Sequence, residues 1–317
     1  MLLILRSIPA LGASLLLTGC MIGDFGDFGP SDRYQTDFHY SFNVEPDARL
    51  DLESFNGSVE ISGWDENKVD ISGTKYASTE GLRDAVKIET HNTPTSIEVR
   101  TIRPSSHMGS LGARYVIRVP RKAHLERITT SNGSIRVRDV ANAAHLKSSN
   151  GSVRAENVNG DVDAHTSNSS IELEAVRGNA TLKTSNGRIH AENVAGSFEA
   201  ETSNNSIKVR LENAPASPVR LVTSNGSIEL EMQKAPRNDV RAETRNGSIT
   251  VNLPASTSAR VTAETSNSSV SSDFSISSEF HGEERKNHLE GVIGSGGPHV
   301  DLSTRNGHIR IVKGSGV

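Results

Sequence analysis

The stretch Ala144-His145-Leu146-Lys147-Ser148-Ser149-Asn150-Gly151-Ser152-Val153-Arg154-Ala155 contains the plan of the whole chain. Apolar and polar side chains alternate up to a Ser-Asn-Gly corner and alternate again after it. That is the two-residue period of a strand and not the 3.6-residue period of a helix. The same unit recurs at Asn132, Asn150, Asn168, Asn186 and Asn204, each eighteen positions after the last, and then at Asn225, Asn246 and Asn267, each twenty-one after. Further copies stand at Asn56 and Asn306.

Aligning the copies on this asparagine separates the rows. Three residues after it come Ile135, Val153, Ile171, Ile189, Ile207, Ile228, Ile249, Val270 and Ile309; five after come Val137, Ala155, Leu173, Ala191, Val209, Leu230 and Val251. Four before it stand Ile128, Leu146, Ala164 and Ala200, and two before it a Ser or Thr in every copy, from Thr130 to Thr304. Each unit therefore reads as strand, corner, strand and return loop, too small to bury its apolar faces alone. Stacking like on like solves that problem, with neighbouring coils about 4.8 Å apart. The fold class predicted is all-β, a single-stranded parallel β-helix or β-solenoid whose coils have those two lengths, eighteen and twenty-one. The aligned asparagines are expected to form a hydrogen-bonded ladder, the Ser/Thr row to line the inside of the corner, and the corner glycines to serve unusual backbone conformations.

Outside the array the reading is coarser. Residues 34–120 are expected to form a β-rich N-terminal cap with the first coils, holding most of the aromatics, Trp64 among them, and a helical turn or loop near 77–84. Residues 121–317 are the regular solenoid, with an insertion at about 271–300 that includes the polar run Phe280–Asn287 and the Gly294–Pro298 loop. At the start, Arg6, the apolar run 8–17 and Leu17-Thr18-Gly19-Cys20 read as a signal peptide over 1–19, too short to span a bilayer. The tetrapeptide resembles the bacterial lipobox, which implies lipidation of Cys20, and 20–33 reads as a flexible tether. Met21 in place of Asp after that cysteine favours the outer membrane, facing either the periplasm or the surface, in a source with two membranes.

Charge and chemistry exclude more than they select. With 34 basic and 38 acidic groups the formal charge is −4, which offers no field for nucleic acid. Cys20 is the only cysteine, so no disulfide framework or cysteine metal cluster is available. No metal or other cofactor is predicted. Gly294–Pro298 lies between strand-like segments, the wrong setting for a phosphate loop. The outward rows hold the candidate site: Glu156, Glu172, Glu174 and Glu192 on neighbouring coils, with Arg154 and His190 beside them. Stacked glutamates repel unless cations offset them; a Ca²⁺ site and a plain salt-bridge network are the two arrangements considered, and the network is favoured.

The run Val119-Pro120-Arg121-Lys122-Ala123-His124-Leu125-Glu126-Arg127-Ile128-Thr129-Thr130-Ser131-Asn132-Gly133-Ser134-Ile135, with the copies after it, resembles the bacterial putative-adhesin family of unknown function. The resemblance covers about residues 40–313 and implies a right-handed β-helix similar to autotransporter-adhesin head domains. It transfers no catalytic residue. The function expected is a non-enzymatic, envelope-anchored, adhesin-like scaffold that binds an extended protein or glycan partner. The alternatives are a polysaccharide-active enzyme on a β-helix and an accessory protein in envelope-stress signalling. Between 121 and 270 the only aromatic is Phe198, on the inward alternation, which leaves a sugar-cleaving groove without stacking platforms.

Overall fold

The computed structural model describes residues 33–105, 109–212, 217–277 and 286–314. The signal peptide, Cys20, nearly all of the tether and most of the run 280–287 lie outside the described residues. In chain order the elements are β1 (Tyr34–Asn43), β2 (Arg49–Glu53), β3 (Val59–Trp64), β4 (Lys68–Ala77), α1 (Glu80–Ala85), β5 (Lys87–Thr93), β6 (Ser96–Ile102), β7 (Leu111–Pro120), β8 (His124–Thr130) and β9 (Ile135–Val140). Then come β10 (Ala144–Ser148), β11 (Val153–Val158), β12 (Val162–His165), β13 (Ile171–Val176), β14 (Ala180–Lys183), β15 (Ile189–Val194), β16 (Phe198–Thr202), β17 (Ile207–Leu211), β18 (Val219–Thr223) and β19 (Ile228–Met232). The last are β20 (Val240–Glu243), β21 (Ile249–Pro254), β22 (Ala259–Thr265), β23 (Val270–Ser272), β24 (Ile276–Ser277), β25 (His288–Ile293), β26 (His299–Thr304) and β27 (Ile309–Gly314).

These strands build two long sheets, mostly parallel, that share one core. The first runs β1-β4-β7-β3-β9-β11-β13-β15-β17-β19-β21-β27-β23, and the second β24-β25-β22-β26-β20-β18-β16-β14-β12-β10-β8-β2-β6-β5. Every copy of the repeat gives its strand before the corner to the second sheet and its strand after it to the first. Equivalent residues pair in register, as in Val153 with Ile135 on one side and Ile171 on the other. The two-residue alternation thus becomes a strict inside and outside: Leu146, Ala155, Leu173 and Ile189 are buried, and the charged residues between them face out.

The interior is filled by complementary sizes. Coil by coil, the residues four before and five after the corner asparagine are Leu146 with Ala155, Ala164 with Leu173, Leu182 with Ala191, and Ala200 with Val209, all buried in one cluster. A large side chain from one sheet accompanies a small one from the other, and the roles swap in the next coil. In these four coils the alternation keeps a narrow two-sheet interior close-packed; elsewhere the same two positions hold two large residues, as Leu221 with Leu230, and Phe198 is buried in the same core.

The corner is held by two ladders. Asn150 Nδ2 donates to Asn132 Oδ1 (2.6 Å), Asn168 to Asn150 (2.7 Å), Asn186 to Asn168 (2.8 Å) and so on to Asn246. Inside it, Ser148 Oγ donates to Gly133 O (2.9 Å), Thr166 Oγ1 to Gly151 O (2.9 Å) and Thr202 Oγ1 to Gly187 O (3.0 Å). In some coils the hydroxyl also accepts within its own corner: Gly151 N donates to Ser148 Oγ (2.9 Å) and Gly187 N to Thr184 Oγ1 (3.2 Å). The corner glycines do not serve the unusual backbone conformations expected of them. Of those in the described repeats only Gly57 has a positive φ, 110°. At the others the coil beneath comes close: a Cβ added at Gly151 would lie 1.8 Å from Gly133 O. Ser169, Asn205 and Ser268 take this place in other coils, and nothing in the structure explains their tolerance.

A further backbone row lies at the return. Asp139, Asn157, Ala175 and Asn193 are left-handed, with φ of 59°, 54°, 56° and 58°. They close four successive coils of the shorter kind. Asn and Asp adopt this conformation more readily than other L residues do, and Ala175 does so without a side-chain polar group to support it.

Spatial order departs from sequence order at both ends. The coil β2–β3 lies between β6–β7 and β8–β9, paired in parallel with both. At the other end β26–β27 lies between β20–β21 and β22–β23. The copy at Asn306, last in the sequence, is one layer inside, and Asn267 Nδ2 donates to Asn306 Oδ1 (2.7 Å) as Asn306 does to Asn246 (2.6 Å). The region read as an insertion supplies the outer strand β23 and the antiparallel β24 and β25. Antiparallel strands also extend the N-terminal end, β1 on β4 and β4 on β7 in the first sheet and β5 on β6 in the second. There Phe38, Tyr40 and Phe42 pack on the end of the core, with Phe38 edge-on to Tyr115 at 5.4 Å. Tyr115 is buried and its hydroxyl pairs with Thr101 Oγ1 (2.6 Å); burial pushes the phenol well above its ordinary pKa. The turn expected near 77–84 is α1, capped by Thr79, whose Oγ1 accepts from Leu82 N.

Candidate functional site

The outer surface of the first sheet is set by two rows. Register pairs Arg154 on β11 with Glu172 on β13, and Glu172 with His190 on β15; it pairs Glu156 with Glu174, and Glu174 with Glu192. All six predicted residues therefore share one face on three consecutive coils. Arg154 is the hub. Its Nη1 lies 3.0 Å from Glu172 Oε2 and its Nη2 3.6 Å from Glu174 Oε2, while its Nε bonds Glu156 in its own strand. Glu156 is the main cause, with Glu172 and Glu174 adding, of a guanidinium pKa above its ordinary value. His190 Nε2 meets Glu192 at 3.2 Å.

Together with Leu173 these side chains, Glu156 apart, edge a shallow cleft of about 250 Å³. A second, of about 130 Å³, lies beside it between Glu60, Arg136, Arg154 and Glu172. The Arg154 and Glu172 side chains are 40% and 44% exposed, so water screens the pair and its stabilisation is small, on the order of 0–1 kcal/mol. What the network does is offset part of the charge of the stacked glutamates. Among the described residues no three His, Cys, Asp or Glu side chains converge as a metal site would need.

The asparagine ladder lies on an adjoining edge. Asn132, Asn150, Asn168, Asn186, Asn204, Asn225, Asn246, Asn267 and Asn306 are exposed, their amides joined from coil to coil. Cys20 is outside the described residues. On the second sheet, His145 and His165 both face Asp163, at 3.6 and 2.6 Å.

The charged rows also run further than the repeat alignment carries them. Since β7 packs on β3 out of sequence order, Arg118 joins the row of Ser62 and Arg138. Its place follows from the exchange of coils at that end, which no periodicity in the sequence marks.

The model of the Toastrack DUF4097 family matches residues 47–312. No curated protein matches the chain. Among solved structures the chain is similar to one from Clostridium sporogenes described as a putative cell adhesion protein, at 14% identity and TM-score 0.21, covering 88% of this chain and 100% of that one. It is also similar to a putative adhesin from Bacteroides fragilis at 11% identity and TM-score 0.31, covering 88% and 97%. A putative lipid binding protein from Parabacteroides distasonis is 12% identical, with TM-score 0.35 and coverage of 89% and 98%.

Proposed function

We propose, from the premise that this chain belongs to the Toastrack DUF4097 family, that it is a non-enzymatic scaffold, anchored to the cell envelope through Cys20, which binds an extended partner along the outer face of its first sheet. The observation that carries this reading is the construction of that face. In-register strands hold outward side chains in straight rows about 4.8 Å apart, over a close-packed core that fixes their spacing. A rigid, repetitive surface engages a long ligand at many points without ordering flexible loops, which lowers the entropic cost of binding. The two clefts on this face are shallow and their charges are engaged with one another, which suits contact better than chemistry.

The test is binding of the purified full chain carrying Cys20→Ser to an array of glycans and envelope fractions, with released products followed by mass spectrometry. Saturable binding without new products is expected. Turnover of any bound polysaccharide would contradict the reading. Anchoring is tested separately: metabolic labelling with a fatty acid should mark the wild-type chain and not the Cys20→Ser variant.

A further inference from the structure

Arg118 on β7 and Arg138 on β9 flank Ser62 on β3, and the register pairs Ser62 with both. Two steps of a parallel ladder put the arginines on one face about 10 Å apart. Both are exposed, and among the described residues neither has a carboxylate within ion-pairing distance. Most cations in the middle of the face are paired. Arg136 meets Glu60 at 3.8 Å, Arg154 meets Glu172 at 3.0 Å, Lys208 meets Glu229 at 3.2 Å and Arg210 meets Glu231 at 3.7 Å.

The pair is also positioned. Two residues beyond Ser62 on the same face stands Trp64, the only tryptophan of the chain. Its Nε1 donates to Lys68 O (2.8 Å), and its ring lies 5.6 Å from the Arg118 guanidinium carbon and 5.0 Å from Lys68 Nζ. A cation over an indole keeps its N–H groups free for a ligand while its orientation is restrained. Nearby acids are engaged elsewhere: Asp70, opposite Arg118 on β4, by His39 at 2.8 Å, Asp65 by Arg121 at 2.7 Å and Glu66 by Lys68 at 3.2 Å.

From this geometry we propose that Arg118 and Arg138 form an oxyanion-binding site for a linear acidic glycan whose carboxylate or sulfate groups recur about 10 Å apart. The site rests on the binding-scaffold reading and names a ligand class for it. It is bounded on both sides, because beyond Arg118 the same row continues with Asp70 on β4, and beyond Arg138 with Glu156 and then Glu174. A narrow chain can cross β7 to β9 and leave the face before those glutamates. A bilayer laid on the same flat face would press its anionic headgroups against them.

The lone tryptophan supplies the readout. The full chain carrying Cys20→Ser is titrated with polygalacturonate, dextran sulfate, neutral dextran and phosphatidylglycerol vesicles while Trp64 fluorescence is followed. Saturation by at least one acidic glycan is expected, eroded by salt. Arg118→Ala and Arg138→Ala should each weaken it about tenfold or more, which corresponds to about 1.4 kcal/mol. Lysine at either position should fall between, and Arg220→Ala, on the outer face of the second sheet, should change nothing. Circular dichroism of the variants should match the parent, since both side chains lie outside the core. Unchanged affinity in the double alanine variant, an equal loss with Arg220→Ala, saturation by vesicles alone, or no response to either acidic glycan would overturn the site. Binding that survives the double variant would still support the scaffold. Released oligosaccharide would contradict the non-enzymatic reading and leave the site standing.

Discussion

Thr184 shows how much a single hydroxyl carries at the corner. It donates to Ser169 O (3.1 Å) in the coil beneath and accepts from Gly187 N (3.2 Å) in its own. Thr184→Val keeps the shape and orphans two buried backbone groups, so urea denaturation should register a loss of about 1–3 kcal/mol. Thr184→Ser should be close to neutral, because Ser148 makes the same pair of bonds. The left-handed row yields the opposite kind of change. Ala175 has φ of 56° between Asn157 and Asn193 in the neighbouring coils, and Asn157 Nδ2 already donates to Asp139 Oδ1 (3.3 Å). Ala175→Asn should relieve backbone strain and join a side-chain ladder, raising stability by roughly 1 kcal/mol in the same assay. The buried Ser/Thr row and the asparagine ladder were legible in the sequence because each is one position of a repeat. The reason for the corner glycines was not. Close approach of a neighbouring coil depends on how coils stack, and a composition of Gly, Asn and Ser suggests backbone freedom just as readily.

Among the elements, strand positions and faces followed from alternation alone, and the volumes inside them follow a second rule. Leu146 with Ala155 and Ala164 with Leu173 imply that the interior of these coils is filled as a pair. Leu146→Ala should cost about 2–5 kcal/mol through the cavity it leaves, and Ala155→Leu about 1–3 kcal/mol through overpacking. The double variant, which restores one large and one small residue, should lose clearly less than the sum. Additive losses in urea denaturation would show that the two positions do not share space. The order of the elements was less legible. Both terminal coils of the sequence are inserted one layer inside the stack, and the repeat period reports what a coil is without reporting which coil it lies on. Asn306 bonds Asn246 across a long stretch of chain, whereas Asn267, the very next copy after Asn246, is held off by the inserted coil. The candidate site divides the same way. Arg154, Glu172 and His190 lie in the regular array and could be aligned, whereas Arg118 reaches its row only through the exchanged β7.

For the whole molecule, the stack behaves as a one-dimensional array in which each coil's stability comes from its two neighbours. Covering the last coil of the sequence with β22–β23, and the first with β6–β7, removes the chain's own coil ends from the positions where such an array frays. The outer faces then stay straight over many coils, which is what the proposed binding surface requires. All of this depends on the coil being the unit of the fold, and removal of one unit tests that most directly. Deleting 168–185, one whole repeat, joins Ser167 to Asn186 and lets Val153 pair with Ile189 in the register that Val153 and Ile171 now have. Circular dichroism during urea denaturation should show a folded β protein with a modestly lowered midpoint, while deletion of 168–176 alone should abolish folding. Equal collapse of the two variants would contradict the account.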